Sequence, residues 1–294
     1  MNIEKFSSFF RGQAHELLLQ AIDLALREDG PDLTSEGIFP AGHRLAARII
    51  AKQETLVAGL PLIPLVMERC PARDGSGDWS WQPLVQEGER VADRTVVATI
   101  EADAARLLKA ERVILNFIAH LSGIANLTGD YVRQLQGTGS RLLDTRKTLP
   151  CLRYPEKYAV LVGGGLNHRK NLADMLMLKD NHIDLAGGIA PAVHMLRARY
   201  TPCPPIEVEC RTLEEVREAV ECRADRIMLD NMEPEGIRQA LDIIPNGMET
   251  EVSGGVTLEN IRSVACASDR GPDFISVGRL THSAPAADFS MLVQ

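Results

Sequence analysis

The sequence predicts an α/β protein, an incomplete α/β (TIM-like) barrel preceded by a small α+β unit, and three observations lead there. After Gly137 a short apolar strand, a polar or glycine-rich turn and an amphipathic helix recur in series. A polar or charged group stands at the end of each of those strands, on the face where parallel barrels keep their chemistry. No strand opens into the glycine fingerprint of a dinucleotide site, which disfavours the remaining option, an open doubly wound sheet.

From the N-terminus, leucine and isoleucine recur at helical spacing over His15 to Arg27, and Glu28 to Ser35, with Gly30 and Pro31, breaks the pattern. Alternating runs at Leu45 to Ala51 and Val96 to Glu101 read as strands, with Gly/Pro/Asp-rich connections such as Asp74 to Asp78. Ala102 to Gln136 is the longest periodic segment. Its apolar positions 107, 110, 114, 117, 121, 124, 131 and 135 form the stripe of one packed helix, with Gly123 as its weak point. Arg112 and Asn116 fall off that stripe, and from spacing alone Arg112 reads as solvated.

Six strands follow, at Arg141 to Asp144, Met175 to Leu178, Ile206 to Glu209, Arg226 to Leu229, Thr250 to Val252 and Phe274 to Val277. Helical patterns at Leu213 to Glu221, Pro234 to Ile244 and Thr257 to Ala267 separate the later ones, with Thr212 and Thr257 as expected N-caps.

Composition narrows the function classes. A chain of 294 residues with 45% hydrophobic content can bury a large core, and a net charge of −8 disfavours nucleic acid as a partner. No stretch approaches the ~18 apolar residues of a membrane span, and the start lacks a signal-peptide pattern, so a soluble cytoplasmic protein is expected. The cysteines at 70, 151, 203, 210, 222 and 266 are read as reduced and mostly buried, because none of their spacings suits zinc.

Chemistry concentrates after the strands. Asp144, Arg146 and Lys147 end the first; Lys179, Asp180 and Asn181 the second; Glu207 and Glu209 lie on the third; Asp230 and Asn231 end the fourth. From Arg141 to His182 eight Lys/Arg oppose four Asp/Glu, a local excess of four positive charges that calls for an anion. Arg146, His168 and Arg169 suit carboxylates, and Lys147 and Lys179 add point charges, whereas Arg141, Lys157 and Lys170 read as ordinary surface charges. Ser253-Gly254-Gly255 and Ser276-Val277-Gly278 place bare N–H groups before helices, as a phosphate site requires. Glu209 and Asp230 suit ribose hydroxyls, a magnesium ion or a developing positive charge on a sugar.

The strings DTRKTLP (Asp144 to Pro150), EKYAVLVGGGLNHR (Glu156 to Arg169), LKDNHI (Leu178 to Ile183), EVEC (Glu207 to Cys210), IMLDNM (Ile227 to Met232), EVSGGV (Glu251 to Val256) and ISVGRLTHSAP (Ile275 to Pro285) closely resemble the quinolinate phosphoribosyltransferase family. ERVILNFIAHLSGIA (Glu111 to Ala125) and EDGPDLTS (Glu28 to Ser35) extend the likeness over nearly the whole chain. The resemblance implies an N-terminal α+β sandwich over residues 1–118, rejoined by the tail 281–294, and a barrel over 119–280. It implies a homodimer in which Arg112 reaches the neighbouring active site, reversing the reading from spacing; assembly into hexamers is left open. It also implies transfer of phosphoribosyl to quinolinate with decarboxylation, giving nicotinate mononucleotide for NAD synthesis. Carried over residue by residue, quinolinate falls to Arg112, Arg146, Lys147, His168, Arg169 and Lys179, with Thr145 as a further substrate-binding residue. Phosphoribosyl pyrophosphate falls to Lys147, Lys179, Glu209, Asp230, Ser253, Gly254, Gly255, Ser276, Val277 and Gly278. Lys147, Lys179, Glu209 and Asp230 carry catalysis, and Mg²⁺ enters with the pyrophosphate, with Glu209 and Asp230 as candidate ligands.

Asn171 stands where the family has a glycine, Leu149 and Cys151 vary a turn, and Arg279 replaces a small residue beside the phosphate loop. Two other enzyme readings and one without catalysis compete. A strand-end Lys147 or Lys179 could form a Schiff base as in an aldolase, which borohydride trapping would reveal. A transferase acting on nicotinate is the nearest competitor, and the density of positive groups favours a dicarboxylate. A degenerate binding-only paralogue would have lost a charged position, and none is missing.

Overall fold

The computed structural model describes residues 3–70 and 78–294. Most of the expected Asp74 to Asp78 connection lies outside the described residues. In chain order the elements are α1 (Ile3–Phe9), α2 (Gln13–Glu28), α3 (Leu33–Ile38), β1 (Arg44–Ala51), β2 (Thr55–Leu56), α4 (Leu62–Arg69), β3 (Ser80–Pro83), β4 (Arg90–Val91), β5 (Val96–Asp103) and α5 (Ala104–Gln134). Strand–helix units follow: β6 (Arg141–Leu143) with α6 (Arg153–Val162), β7 (Leu176–Leu178) with α7 (Asp180–Ala186) and α8 (Ile189–Arg199), and β8 (Ile206–Cys210) with α9 (Leu213–Glu221). The last are β9 (Arg226–Asp230) with α10 (Pro234–Ile243), β10 (Glu249–Ser253) with α11 (Ile261–Ala265), and β11 (Phe274–Ser276) with α12 (Arg279–His282), before the closing β12 (Phe289–Val293).

Two compact units result. The first comprises Met1–Thr128, Thr148–Gly164 and Leu280–Gln294; the second comprises Gly129–Lys147 and Gly165–Arg279. In the first, β12-β1-β5-β3 form an antiparallel sheet, and the C-terminal strand β12 pairs with β1 from Ala47–Val293 to Ala51–Phe289. Helix α5 carries the apolar stripe read from sequence, with Leu107, Ala110, Ile114, Leu121 and Ile124 buried. Gly123 has a reason to be there: a Cβ on it would lie 2.1 Å from the Pro285 carbonyl oxygen, so the returning tail crosses the helix at backbone distance. Lys157, expected as a surface charge, is fully buried. It lies in α6, whose residues from Pro155 to Val160 are all buried, so this short helix has no solvated side over that run.

In the second unit six parallel strands run in the order β6-β11-β10-β9-β8-β7. Strands first and second in sequence sit at opposite edges, which makes the sheet an incomplete barrel open between β6 and β7. Among the described residues only an isolated bridge, Leu143 with Leu166, continues the ladder beyond β6. Period-2 alternation gives each strand two faces. Ile206, Val208, Cys210, Ile227, Leu229, Val252 and Ile275 are buried on one. The other bears Glu207, Glu209, Arg226, Asp230, Glu251, Ser253 and Ser276.

Helix α9 starts where Thr212 accepts a hydrogen bond from the Glu215 amide, the expected cap. Helix α11 starts at Ile261 and not at Thr257. Residues 257–260 form a turn instead, held by the Thr257 N–H donating to Asn260 Oδ1 at 2.8 Å. All six cysteines are free, but only Cys70 and Cys210 are buried; Cys151 and Cys266 are exposed and the other two intermediate, against the expectation of mostly buried thiols.

Candidate active site

The register of the barrel strands assembles a polar layer at their C-terminal ends. Asp230 is paired with Ser253, Ser253 with Ser276, and Ser276 with Leu143, so these side chains share one face at one height. Beside this layer, Lys179 Nζ donates to Glu209 Oε2 at 2.6 Å. Lys179 precedes α7 and Glu209 closes β8, so the pair is a product of two neighbouring strand ends.

The glycine turn after β10 has a steric cause. Gly254 has φ +91° and Gly255 φ +63°, a region that side chains rarely adopt. A Cβ on Gly254 would fall 2.1 Å from Asn231 Oδ1. Asn231, itself at φ +53°, donates its backbone N–H to the Ser253 carbonyl at 2.8 Å and its side-chain amide to Asp230 Oδ2 at 2.9 Å. Because α11 begins at Ile261, the Gly254-Gly255 pair lies in a loop and not at a helix N-terminus, contrary to the sequence reading. Ser276-Val277-Gly278 does lead directly into α12 at Arg279, and the Val277 N–H donates to the Leu143 carbonyl at 3.0 Å.

Cations gather around the end of β6 and the segment after Leu166. Arg146 and Arg169 are both half-buried. Burial and then the charge of Arg146 lower the pKa of Arg169, so these guanidiniums repel each other until an anion joins them. Arg169 Nη1 is anchored on the Met175 carbonyl at 3.1 Å. Lys147 is exposed, and its N–H donates to Thr145 Oγ1 at 3.0 Å, which makes Thr145 a shaper of this turn.

His168 is buried. Its Nδ1 accepts the Arg169 N–H at 2.6 Å, and its Nε2 lies 3.1 Å from Glu207 Oε2 and 3.5 Å from Glu251 Oε2, at ion-pair distance without hydrogen-bond alignment. Burial raises the pKa of both glutamates, and the charge of Glu207 raises that of Glu251 further. Arg226 Nη1 is 3.5 Å from Glu251 Oε2 and so offsets part of this buried negative charge. Sequence reasoning passed over Glu251 and Asn167. The signal for Glu251 was parity: it stands two residues before Ser253, as Glu207 stands two before Glu209, and alternate strand residues share a face.

Arg112 belongs to the first compact unit, whereas every other site residue named above belongs to the second. Its side chain is 66% exposed on α5, with Glu111 at 3.9 Å as a loose neighbour.

The comparisons with known proteins agree with this geometry. Residues 32–122 match the family described as quinolinate phosphoribosyl transferase, N-terminal domain, and residues 124–292 match its C-terminal domain. A Bacillus subtilis protein named probable nicotinate-nucleotide pyrophosphorylase (carboxylating) is 41% identical over 264 residues, which cover 88% of this chain and 87% of that one. Among solved structures, NadC from Streptococcus pyogenes is 38% identical with a TM-score of 0.85, covering 94% of this chain and 95% of its own. The nicotinate-nucleotide pyrophosphorylase from Francisella tularensis is 33% identical with a TM-score of 0.87, covering 95% and 96%.

Proposed function

The chain belongs to the quinolinate phosphoribosyltransferase family and is a decarboxylating phosphoribosyltransferase, and we propose that Lys147, Lys179, Glu209 and Asp230 carry its chemistry. The reaction moves phosphoribosyl from phosphoribosyl pyrophosphate to quinolinate and yields nicotinate mononucleotide, pyrophosphate and carbon dioxide, a step of NAD synthesis. The observation that carries the assignment of residues is their convergence. One end of one parallel sheet holds the Lys179–Glu209 pair, the Asp230-Ser253-Ser276 layer and a glycine turn shaped by Asn231.

In this reading Arg146, Arg169 and His168 hold the two carboxylates of quinolinate, with Lys147 and Lys179 between the two substrates. The bond from ribose C1 to pyrophosphate breaks with its electron pair leaving on the pyrophosphate, and the ring nitrogen of quinolinate forms the new bond to C1. Glu209 and Asp230 stabilise the positive charge that develops on the sugar, and the lysines neutralise the leaving group. The nitrogen is then quaternary, so the adjacent carbon can release carbon dioxide, keep the electron pair as an ylide and take a proton. The protein's contribution is to position reactants and balance charge.

Two carboxylates on adjacent strands, one of them bonded to Lys179, are hard oxygen donors of the kind Mg²⁺ takes alongside a phosphorylated substrate. Glu209 and Asp230 would hold Mg²⁺ with the pyrophosphate, where it supplies charge neutralisation to the leaving group. Arg112, exposed on its own chain, is assigned to the active site of a second copy in a homodimer. Six free thiols fit a reducing compartment, and the cytoplasm is the assigned location. No helix among the described residues is long and apolar enough to cross a membrane.

Release of carboxyl-labelled carbon dioxide from quinolinate tests the reading. It should require both phosphoribosyl pyrophosphate and Mg²⁺, with nicotinate inert in a parallel assay. Turnover of nicotinate, or release without either addition, would overturn it.

A further inference from the structure

We infer that Asp144, with Asn167, is the positioning pair that sets the spacing of the two arginines for a dicarboxylate. Asp144 is fully buried at the end of β6, two residues before Arg146. Its Oδ1 accepts the His168 N–H at 2.9 Å and its Oδ2 accepts the Asn167 side-chain amide at 2.6 Å. Its own N–H donates to the Leu166 carbonyl at 3.1 Å, while the Leu166 N–H donates to the Leu142 carbonyl at 2.8 Å.

The two arginine-bearing segments are therefore laced together at four points, and the two side-chain links both end on one carboxylate. This occurs beside the open edge of the barrel, where the ladder beyond β6 is reduced to the single Leu143–Leu166 bridge. A complete neighbouring strand would fix the distance between the segments by its backbone; here Asp144 does much of that work. Arg146 follows Asp144 by two residues and Arg169 follows Asn167 by two. Loosening the clamp lets two like charges separate, and the ligand that suffers is the one that must engage both at once. Phosphoribosyl pyrophosphate shares only Lys147 with these segments and is otherwise assigned to the later strands, so its binding depends on the clamp far less.

The inference rests on the assignment of Arg146 and Arg169 to quinolinate. Asp144→Asn is close to isosteric, keeps an oxygen for the His168 N–H and removes the acceptor facing Asn167. It should raise KM for quinolinate about tenfold or more, the loss expected for a charged hydrogen bond, and leave KM for phosphoribosyl pyrophosphate within about twofold. Combining it with Asn167→Asp restores a donor–acceptor pair with the roles exchanged, and this double variant should recover most of the lost quinolinate KM. Equal changes in both KM values, no change in either, or no recovery in the double variant would overturn the inference. If Asp144→Asn fails to fold, Asn167→Ala is measured for the same split, and its absence is equally decisive. Wild-type enzyme run alongside separates the two readings: no release of carbon dioxide by the wild type sinks the substrate assignment itself, whereas normal release with an unmoved variant sinks the clamp alone.

Discussion

Glu87 shows how one residue can couple the first unit to pH. Its Oε1 accepts the Gly59 N–H at 2.8 Å and the Tyr158 hydroxyl at 3.0 Å, and its Oε2 accepts the Leu60 N–H at 3.0 Å. Burial outweighs these three donors and raises its pKa from 4.5 to about 7. The folded value lies above the unfolded one, so the stabilising protonated form is fully present below about 4.5 and is lost as pH rises through about 7. The full swing is of order 3 kcal/mol, at about 1.4 kcal/mol per unit. Comparing Tm of the wild type and Glu87→Gln at pH 5 and pH 8 checks this. The difference should shift in favour of Gln at pH 8; a gap independent of pH would show that the carboxyl does not titrate in that window.

At the scale of elements, glycines mark where helices meet other backbone. Gly123 lies inside α5, where alanine would ordinarily improve helix stability by about 1 kcal/mol. Here its Cβ would meet the Pro285 carbonyl at 2.1 Å and Ala286 Cα at 3.0 Å. Gly123→Ala should therefore cost about 1–3 kcal/mol net, as overpacking against backbone does. Gly37 in α3 is the control, since a Cβ there meets nothing within 4 Å, and Gly37→Ala should be neutral or stabilising. Thermal melts of both decide it; equal gains would mean that the tail does not press on α5 as the geometry requires. Gly163 makes a second such contact, its Cβ position 2.5 Å from the Ala125 carbonyl oxygen.

For the whole molecule, the assignment of Arg112 to a neighbouring active site has a consequence that single-chain geometry does not reach. Arg112→Ala and Lys147→Ala should each be nearly inactive alone, because each removes a charge from every site. Mixed, dissociated and reassociated, they should regain about a quarter of wild-type activity, since half of random dimers are mixed and each has one intact site of two. A mixture as inactive as its components would place Arg112 and Lys147 in the same site of the same chain, whereas an active Arg112→Ala on its own would remove Arg112 from catalysis. Within a chain of charge −8, Arg146, Lys147 and Arg169 are the positive groups of the second unit placed to attract an anionic substrate.

Strand and helix positions were legible because they depend on near neighbours. The short apolar runs at β6 to β11 and the period-3.6 stripe of α5 are set by residues a few positions apart. The placing of polar groups at strand ends was legible for the same reason, since Asp144, Lys179, Glu209 and Asp230 each directly end or follow a readable strand. Four features waited for the folded chain: the burial of Lys157, the late start of α11, the approach of Gly254 to Asn231, and the pressing of Pro285 on Gly123. The reason is the same in each case. Burial, steric exclusion and hydrogen bonding act between groups that are adjacent in space, and chain distance carries no trace of that adjacency until the strands have chosen their neighbours. Asp144 stands on both sides of this divide: its place at the end of β6 was readable, but its partner Asn167 was not, because only the open edge of the barrel brings the two together.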